Sequence, residues 1–343
     1  MKKRAGILVF YAIAIGLLGV AAAAAQNASP TDLRPVKVMT SLPTLTTAVP
    51  YTMLAEHFDK DHGLSVEMLS AGGASSLQVD AVLSGNVMFA SPGTPTALQA
   101  IRQGANLKIV AAIANNQIAA VISNKALAKV GVASNAPIAD RIRALKGLTV
   151  GTNPVGATYY QMLRGYLKQY GLDPDNDVRL VGIADSSALI TGIEQGRFDA
   201  IVSASGVVEE AIGRNSGTLW FSGARGDIPG QDVTMVCVIV TRADTIEKQP
   251  ELVKAYVAAL QDALNAIHTD RTATGQALKA NFFQKLDPEL WAMVWNGATA
   301  AYPANLAFTR RAFDYWVAND PKGADSYKNV DYKQITYGPA QSP

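Results

Sequence analysis

From Tyr51 to His62 the apolar residues Tyr51, Leu54, Ala55 and Phe58 fall at i, i+3, i+4 and i+7, and this spacing predicts a helix with one buried face. Gly63 is placed to end it. The period then shortens: Leu64, Val66 and Met68 alternate with Ser65 and Glu67, which predicts a strand. Gly72, Gly73, Ser75 and Ser76 form a small polar loop opening a second helix, Ser84-Gly85-Asn86 forms a turn, and Val87 to Ala90 forms another strand. That strand runs into Ser91-Pro92-Gly93, after which Thr94 is expected to cap a helix with Pro95 at its first position.

The same order returns about 110 residues later, closely enough spaced to be a repeat. Tyr159, Met162, Leu163, Tyr166 and Leu167 reproduce the helix face, and Gly171 stands twelve residues after Tyr159 as Gly63 does after Tyr51. Val178 to Ile183 supplies the strand and Asp185-Ser186-Ser187 the polar loop. Gly196 follows Ser187 by nine residues, matching Gly85 after Ser76. Phe198 to Val202 then enters a loop with Ser203, Ser205 and Gly206.

Strands separated by helices at this spacing predict parallel sheets with right-handed crossovers, hence an α/β molecule of two similar lobes. The expected boundaries are 34–118 with 239–320 for a discontinuous first lobe and 124–232 for the second. The apolar runs at 119–123 and 233–238 are read as hinge crossovers. Helical patterns alone follow, at Leu252 to Ile267, Thr272 to Phe283, from Asp287-Pro288-Glu289, and at Thr309 to Asn319, and they are expected to pack on the first lobe. Residues 321–343 read as a polar tail along the surface.

Lys2, Lys3 and Arg4, an uncharged stretch from Ala5 to Ala25, and Ala23-Ala24-Ala25 before Gln26 compose a cleavable export signal over residues 1–25. Cleavage would leave 318 residues with 27 Lys and Arg against 28 Asp and Glu, so the net charge moves from +2 to −1. No cluster of basic residues suggests a nucleic acid or an anionic membrane surface as partner. The single cysteine, Cys237, excludes an internal disulfide and reads as a small buried hydrophobe. With Gln26 rather than cysteine at the expected mature start no lipid anchor is expected, which favours a freely diffusing periplasmic protein. His57, His62 and His268 are the only histidines, and neither metal ligands at metal-binding spacing nor a nucleophile elbow, phosphate loop or zinc-protease motif is present. No cofactor or catalytic residue is expected. Arg225-Gly226-Asp227 is read as coincidence.

In open α/β sheets ligands gather beyond the carboxyl ends of the strands, where the hydroxyl-rich loops of both lobes lie. A helix start leaves backbone N–H groups unpaired and carries about half a positive charge, so it attracts anions or polar oxygens. Candidate contacts are therefore Ser75, Ser76, Ser91, Thr94, Gly156, Thr158, Asp185, Ser186 and Ser203, with Thr40, Ser41 and Leu42 after the strand Val36 to Met39. Each serine reads equally well as an ordinary cap; it is their duplication that points to a ligand. Tyr51 and Tyr159 open equivalent helices, either as core or as stacking partners for a solute. Asn115, or its neighbour Asn116, ends a strand near the first crossing. Asp185 and Asp232 are placed to receive an amine or to act as a cap and a surface charge.

The order of Asp61-His62-Gly63-Leu64-Ser65-Val66, Ala81-Val82-Leu83-Ser84-Gly85, Gly104 to Val110, Leu145-Lys146-Gly147-Leu148-Thr149-Val150-Gly151, Tyr170-Gly171-Leu172-Asp173-Pro174 and Gly196-Arg197-Phe198-Asp199-Ala200 resembles the nitrate, sulfonate and taurine group of periplasmic binding proteins, relatives of the thiamine-pyrimidine proteins. The likeness runs from about Val36 to His268. It implies the two-lobed periplasmic binding protein fold of type II, with a hinge of two crossing segments. It also implies a protein, expected to be a monomer, that closes on a small solute and delivers it to an inner-membrane ABC permease and its ATPase; the paired helix starts point to an organic anion, sulfonate or carboxylate, with an uncharged or aromatic compound as the competitor. Met88 stands where the family often has Asp, and Ser205-Gly206 where it often has Glu-Pro. Both departures bear on the ligand rather than the fold. A ligand-sensing subunit would use the same cleft, and a thiamine-pyrimidine synthase shares the fold, although the cysteine-rich motif of that enzyme is missing here.

Overall fold

The computed structural model describes residues 33–72, 74–229, 234–298 and 301–338, so the expected export signal and the candidate Asp232 lie outside the described residues. The first half of the repeat folds as β1 (Arg34–Thr40), α1 (Ala48–Ala55), α2 (Phe58–Asp61), β2 (Leu64–Ser70), α3 (Ser75–Leu83), β3 (Phe89–Ala90), α4 (Thr94–Arg102) and β4 (Leu107–Ala114). The second half gives β5 (Ile118–Ser123), α5 (Asn124–Val130), α6 (Ile138–Arg143), β6 (Thr149–Thr152), α7 (Thr158–Gln169), β7 (Arg179–Gly182), α8 (Ser186–Glu194), β8 (Ala200–Ala204), α9 (Val207–Gly213) and β9 (Gly217–Ser222). The chain returns through β10 (Cys237–Arg242), α10 (Ala243–Lys248), α11 (Pro250–Thr269), α12 (Arg271–Phe282), α13 (Pro288–Gly297), α14 (Arg310–Ala318) and α15 (Tyr332–Ile335).

Two five-stranded sheets result, ordered β2-β1-β3-β10-β4 and β7-β6-β8-β5-β9. β1 runs parallel to β2 and β3, and β6 runs parallel to β7 and β8. The repeat is also visible in the backbone: Gly63 and Gly171, at φ +70° and +84°, and Gly85 and Gly196, at +80° and +68°, turn the chain through the left-handed region where a side chain is strained.

The crossings differ from the sequence reading. Ile118–Ser123 is not a linker but a strand, antiparallel to β8 and β9, and Cys237–Arg242 is likewise antiparallel to β3 and β4. The strand that follows each crossing thus enters the sheet it reaches as an antiparallel member, and the sheets are mixed rather than wholly parallel. The physical reason lies in the residues themselves, because a run such as Ile118 to Ile122, buried throughout, needs apolar cover on both faces and a hydrogen-bonded neighbour on each side. The first crossing shrinks to Asn115–Gln117. It is pinned by Asn116 Nδ2 donating to Tyr166 Oη (3.0 Å) and by Gln117 Nε2 donating to the Leu45 carbonyl (3.2 Å).

The helix expected from Tyr51 to His62 starts earlier and breaks at His57, which has φ +62°. The break swings Asp59 inward, where its carboxylate accepts the Val66 N–H at 3.2 Å and ties α2 to β2. Thr94 does not cap α4, since Gly93 holds the cap position and Thr94 donates instead to the Met235 carbonyl at 2.5 Å.

After β10, α11 buries Leu252, Val253, Tyr256, Leu260, Leu264 and Ile267 in the first lobe, and Phe89 of β3 stacks on Tyr256 at 4.2 Å. Residues 321–338 are more than a surface tail. Tyr327 and Tyr332 are buried with their hydroxyls donating to Asp320 (2.9 Å) and to the Phe308 carbonyl (2.5 Å), and Thr336 bridges to Ile109 beside β4. Helix α13 joins the lobes. The Trp291 and Trp295 indoles donate to the carbonyls of Gly275 and Arg271 on α12, while Leu290 packs against Gly213 of α9.

Candidate functional site

The loops at the carboxyl ends of equivalent strands in both lobes converge on one cavity of about 620 Å³. The first lobe contributes Ser41 to Thr47 after β1, Ala71 to Ser75 after β2 with Gln78 on α3, and Ser91 and Gly93 after β3. The second contributes Asn153 and Ala157 to Tyr159 after β6, Ala184 to Ser187 after β7, and Ser203, Ala204 and Val207 at the end of β8. Val236 and Cys237 of the second crossing complete the wall.

The lobes touch along this cavity. Thr46 Oγ1 and the Tyr159 hydroxyl share a hydrogen bond of 2.7 Å, and the Thr158 hydroxyl sits against Gly93 where a Cβ would collide with it. Ser75 Oγ in turn accepts the Gly93 N–H at 3.1 Å.

Among the described residues, no lysine, arginine or histidine lines the cavity. What positive potential it has comes from backbone. Helices α3 and α7 begin at the wall behind Ala74 and Ala157, neither of which has a capping side chain, so their first N–H groups remain available. Helices α8 and α9 are closed by their own carboxylates, with Asp185 accepting the Ser187 N–H at 2.7 Å and Glu209 accepting the Gly206 N–H at 2.5 Å. An anionic group is therefore favoured where α3 and α7 start and disfavoured toward Asp185.

Two carboxamides stand near those starts. Gln78 is 2% exposed, lines the cavity, and its Oε1 has no hydrogen-bond partner, a costly state for a buried polar atom unless a ligand or water satisfies it. Asn153 accepts the Ser203 hydroxyl at 3.0 Å through Oδ1, which orients its amino group. Burial pushes the Tyr159 phenol well above its ordinary range and the Cys237 thiol up to about 12, so both face the cavity uncharged at neutral pH.

Of the residues singled out in the sequence, Ser41, Leu42, Ser75, Ser91, Thr158, Tyr159, Asp185, Ser186 and Ser203 line this cavity. The others do not. Thr40 is buried behind the wall and accepts the Ser91 hydroxyl at 2.5 Å. Tyr51 is core, its ring 4.8 Å from Phe282 and its hydroxyl donating to the Ser41 carbonyl at 2.9 Å, so it holds the loop rather than a solute. Ser76 turns to solvent, and Thr94 is committed to Met235. The Asn115 N–H turns to the Ala301 carbonyl at 2.8 Å, and Gly156 lines an outer groove between α7 and α14. Met88, one of the two departures from the family pattern, is also outside the wall.

Gln78, Asn153 and Thr46 were missed. Asn153 follows the last residue of β6 as Ser41 follows the last residue of β1, so the repeat register carried that signal. Gln78 lies one turn into α3 beyond Ser75, and no sequence rule distinguishes it from a solvent-facing glutamine.

Two lobes with mixed five-stranded sheets, their hydroxyl-rich loops meeting around a cavity between them, define the two-lobed binding-protein fold. Residues 35–280 match the NMT1-like family, and the chain belongs to that family. No curated protein matches in a sequence search. Among solved structures, a protein of Bordetella bronchiseptica RB50 superposes with TM-score 0.72 at 18% identity over 88% of this chain and 94% of that one. The alkanesulfonate-binding protein SsuA of Xanthomonas axonopodis pv. citri, bound to MOPS, gives 0.66 at 14% identity over 90% and 98%. The periplasmic nitrate-binding protein NrtA of Synechocystis PCC 6803 gives 0.58 at 15% identity over 78% and 69%.

Proposed function

We propose that this protein is the periplasmic solute-binding component of an ABC importer, capturing a small organic anion between its lobes and presenting the closed form to an inner-membrane permease. The observation that carries this reading is the cavity itself, which combines uncapped starts of α3 and α7 with the amino group of Asn153 oriented by Ser203, has no lysine, arginine or histidine among its described lining residues, and leaves the Gln78 Oε1 as an acceptor for a donor on the ligand or a water. Neutral donors of this kind bind a monoanion without burying a counter-charge, and each hydrogen bond to an ionised group is worth about 1.5–3 kcal/mol. The volume of about 620 Å³ and the apolar surface of Leu42, Ala157, Val207 and Val236 leave room for a carbon body beyond the anionic head. The sulfonate- and nitrate-binding proteins named above share the fold and make the same ligand class the first to test.

Closure supplies selectivity. A solute held by one lobe gains the second lobe's contacts only when Thr46 meets Tyr159, and it shifts the equilibrium only by those added contacts. A thermal-shift screen of the exported form with short alkanesulfonates, alkanecarboxylates and the matching alcohols tests the ligand class. A binder at 100 times its dissociation constant adds about 2.7 kcal/mol. The sulfonates or carboxylates should raise the melting temperature and the alcohols should not; the reverse pattern would end the anion reading. Stimulation of the cognate permease's ATPase by the liganded protein tests delivery.

A further inference from the structure

A second cavity, of about 460 Å³, lies between α9 and β9 of the second lobe and α13, and it shares no lining residue with the interlobe cavity. Its walls belong to opposite lobes, because α13 is fastened to α12 by its two indoles. Two polar groups lie deep in it. Ser205 is 2% exposed, and its hydroxyl has Glu209, itself 6% exposed, as a loosely aligned partner. The Glu209 carboxylate has about four acceptor sites and meets the Gly206 N–H, its own N–H and the Ser205 hydroxyl, which leaves room for one more donor. Arg225 is exposed, lines the same cavity, and acts on Glu209 through its charge from beyond ion-pair distance. Between these ends the wall is aliphatic, with Leu219, Met293 and Val294.

We propose that this cavity is a second ligand site, for a small aliphatic molecule with an ammonium group at one end and a carboxylate at the other. The ammonium would lie between the Glu209 carboxylate and the Ser205 hydroxyl, the methylene chain along Leu219 and Met293, and the carboxylate at the mouth on Arg225. Each end would meet its opposite charge. Burial pushes the Glu209 carboxyl above its usual range, and a bound cation would draw it back toward ionisation.

Calorimetric titration with 6-aminohexanoate, hexanoate and hexylamine tests this. The wild-type protein should bind 6-aminohexanoate at one site at least tenfold more tightly than either single-ended analogue. E209Q, which keeps the cap, should bring 6-aminohexanoate down to the level of hexanoate, and R225A should bring it down to the level of hexylamine. Gly297 has open space in front of it, with Arg225 Cγ at 4.0 Å from a built Cβ, so G297L should plug the mouth and remove binding without disturbing the fold. Failure of all three compounds to bind, or equal affinity in wild type, R225A and G297L, would overturn the proposal. Loss of 6-aminohexanoate binding in Q78A would instead assign it to the interlobe cavity and overturn it equally.

Discussion

Gln78 and Asn153 bring one carboxamide each from opposite lobes, Gln78 with its Oε1 buried and unpartnered and Asn153 with its amino group oriented by Ser203. Removing either should cost one hydrogen bond to an ionised ligand, about 1.5–3 kcal/mol or roughly tenfold to a hundredfold in affinity. Calorimetry of Q78A and N153A checks this, and an unchanged dissociation constant in both would remove them from the site. Gly93 has an ordinary φ of −60°, so a side chain there is not strained by the backbone; it is excluded only by Thr158 of the other lobe. G93V should therefore hold the lobes apart and lower ligand affinity by two orders of magnitude or more, and a second substitution, T158A, should restore part of it. Cys237 and Tyr51 matter for alkaline stability. Burial raises the thiol from 9.0 to about 12 and the Tyr51 phenol from 10.0 to about 12, so the neutral forms are favoured by folding. Their contribution is complete below the unfolded values and is lost as pH rises toward 12. Denaturation followed from pH 8 to 12 should show stability falling across that window, less steeply in C237A.

At the scale of elements, the starts of α3 and α7 provide the field that the cavity lacks in formal charge. An acidic residue placed at either cap position, as in A74D or A157D, would occupy the N–H groups that a ligand needs. Such variants should be as stable as wild type or slightly more so, because a new cap contributes about 0.5–2 kcal/mol, yet bind an anion at least tenfold more weakly. Melting temperature and affinity moving in opposite directions is the signature to seek. Core packing of the first lobe behaves differently: Phe89, wholly buried and stacked on Tyr256, joins β3 to α11, and F89A should cost about 3–5 kcal/mol of stability. Much of this layer was legible in the sequence. Period, glycine placement and the 110-residue repeat located helices, strands and loops, because each depends on local steric rules. The run Ile118 to Ile122 was legible as apolar but not as an antiparallel strand of the second sheet, since its partners β8 and β9 lie about 80 to 100 residues away and nothing local specifies them. The break at His57 was invisible for a similar reason, being set by where Asp59 meets Val66.

The whole molecule adds what no element shows, namely that two equivalent sets of loops face one another. Serine-rich turns were readable as candidates, but which hydroxyls reach the cavity depended on depth. Thr40 stands one residue before Ser41 and is hidden behind Ser91, and Ser76 stands one after Ser75 and points outward. Because no lysine, arginine or histidine lines the wall and Tyr159 and Cys237 stay protonated, affinity for a sulfonate should vary little between pH 6 and 8.5. A steep pH dependence would point to a site elsewhere. The most direct test of the interlobe cavity as an anion site is a calorimetric titration of an alkanesulfonate into wild type and into the double variant Q78A/N153A. Binding of one molecule to wild type, weakened about a hundredfold or more in the double variant, is the result expected from one lost donor in each lobe. Equal affinity in the two proteins would contradict it.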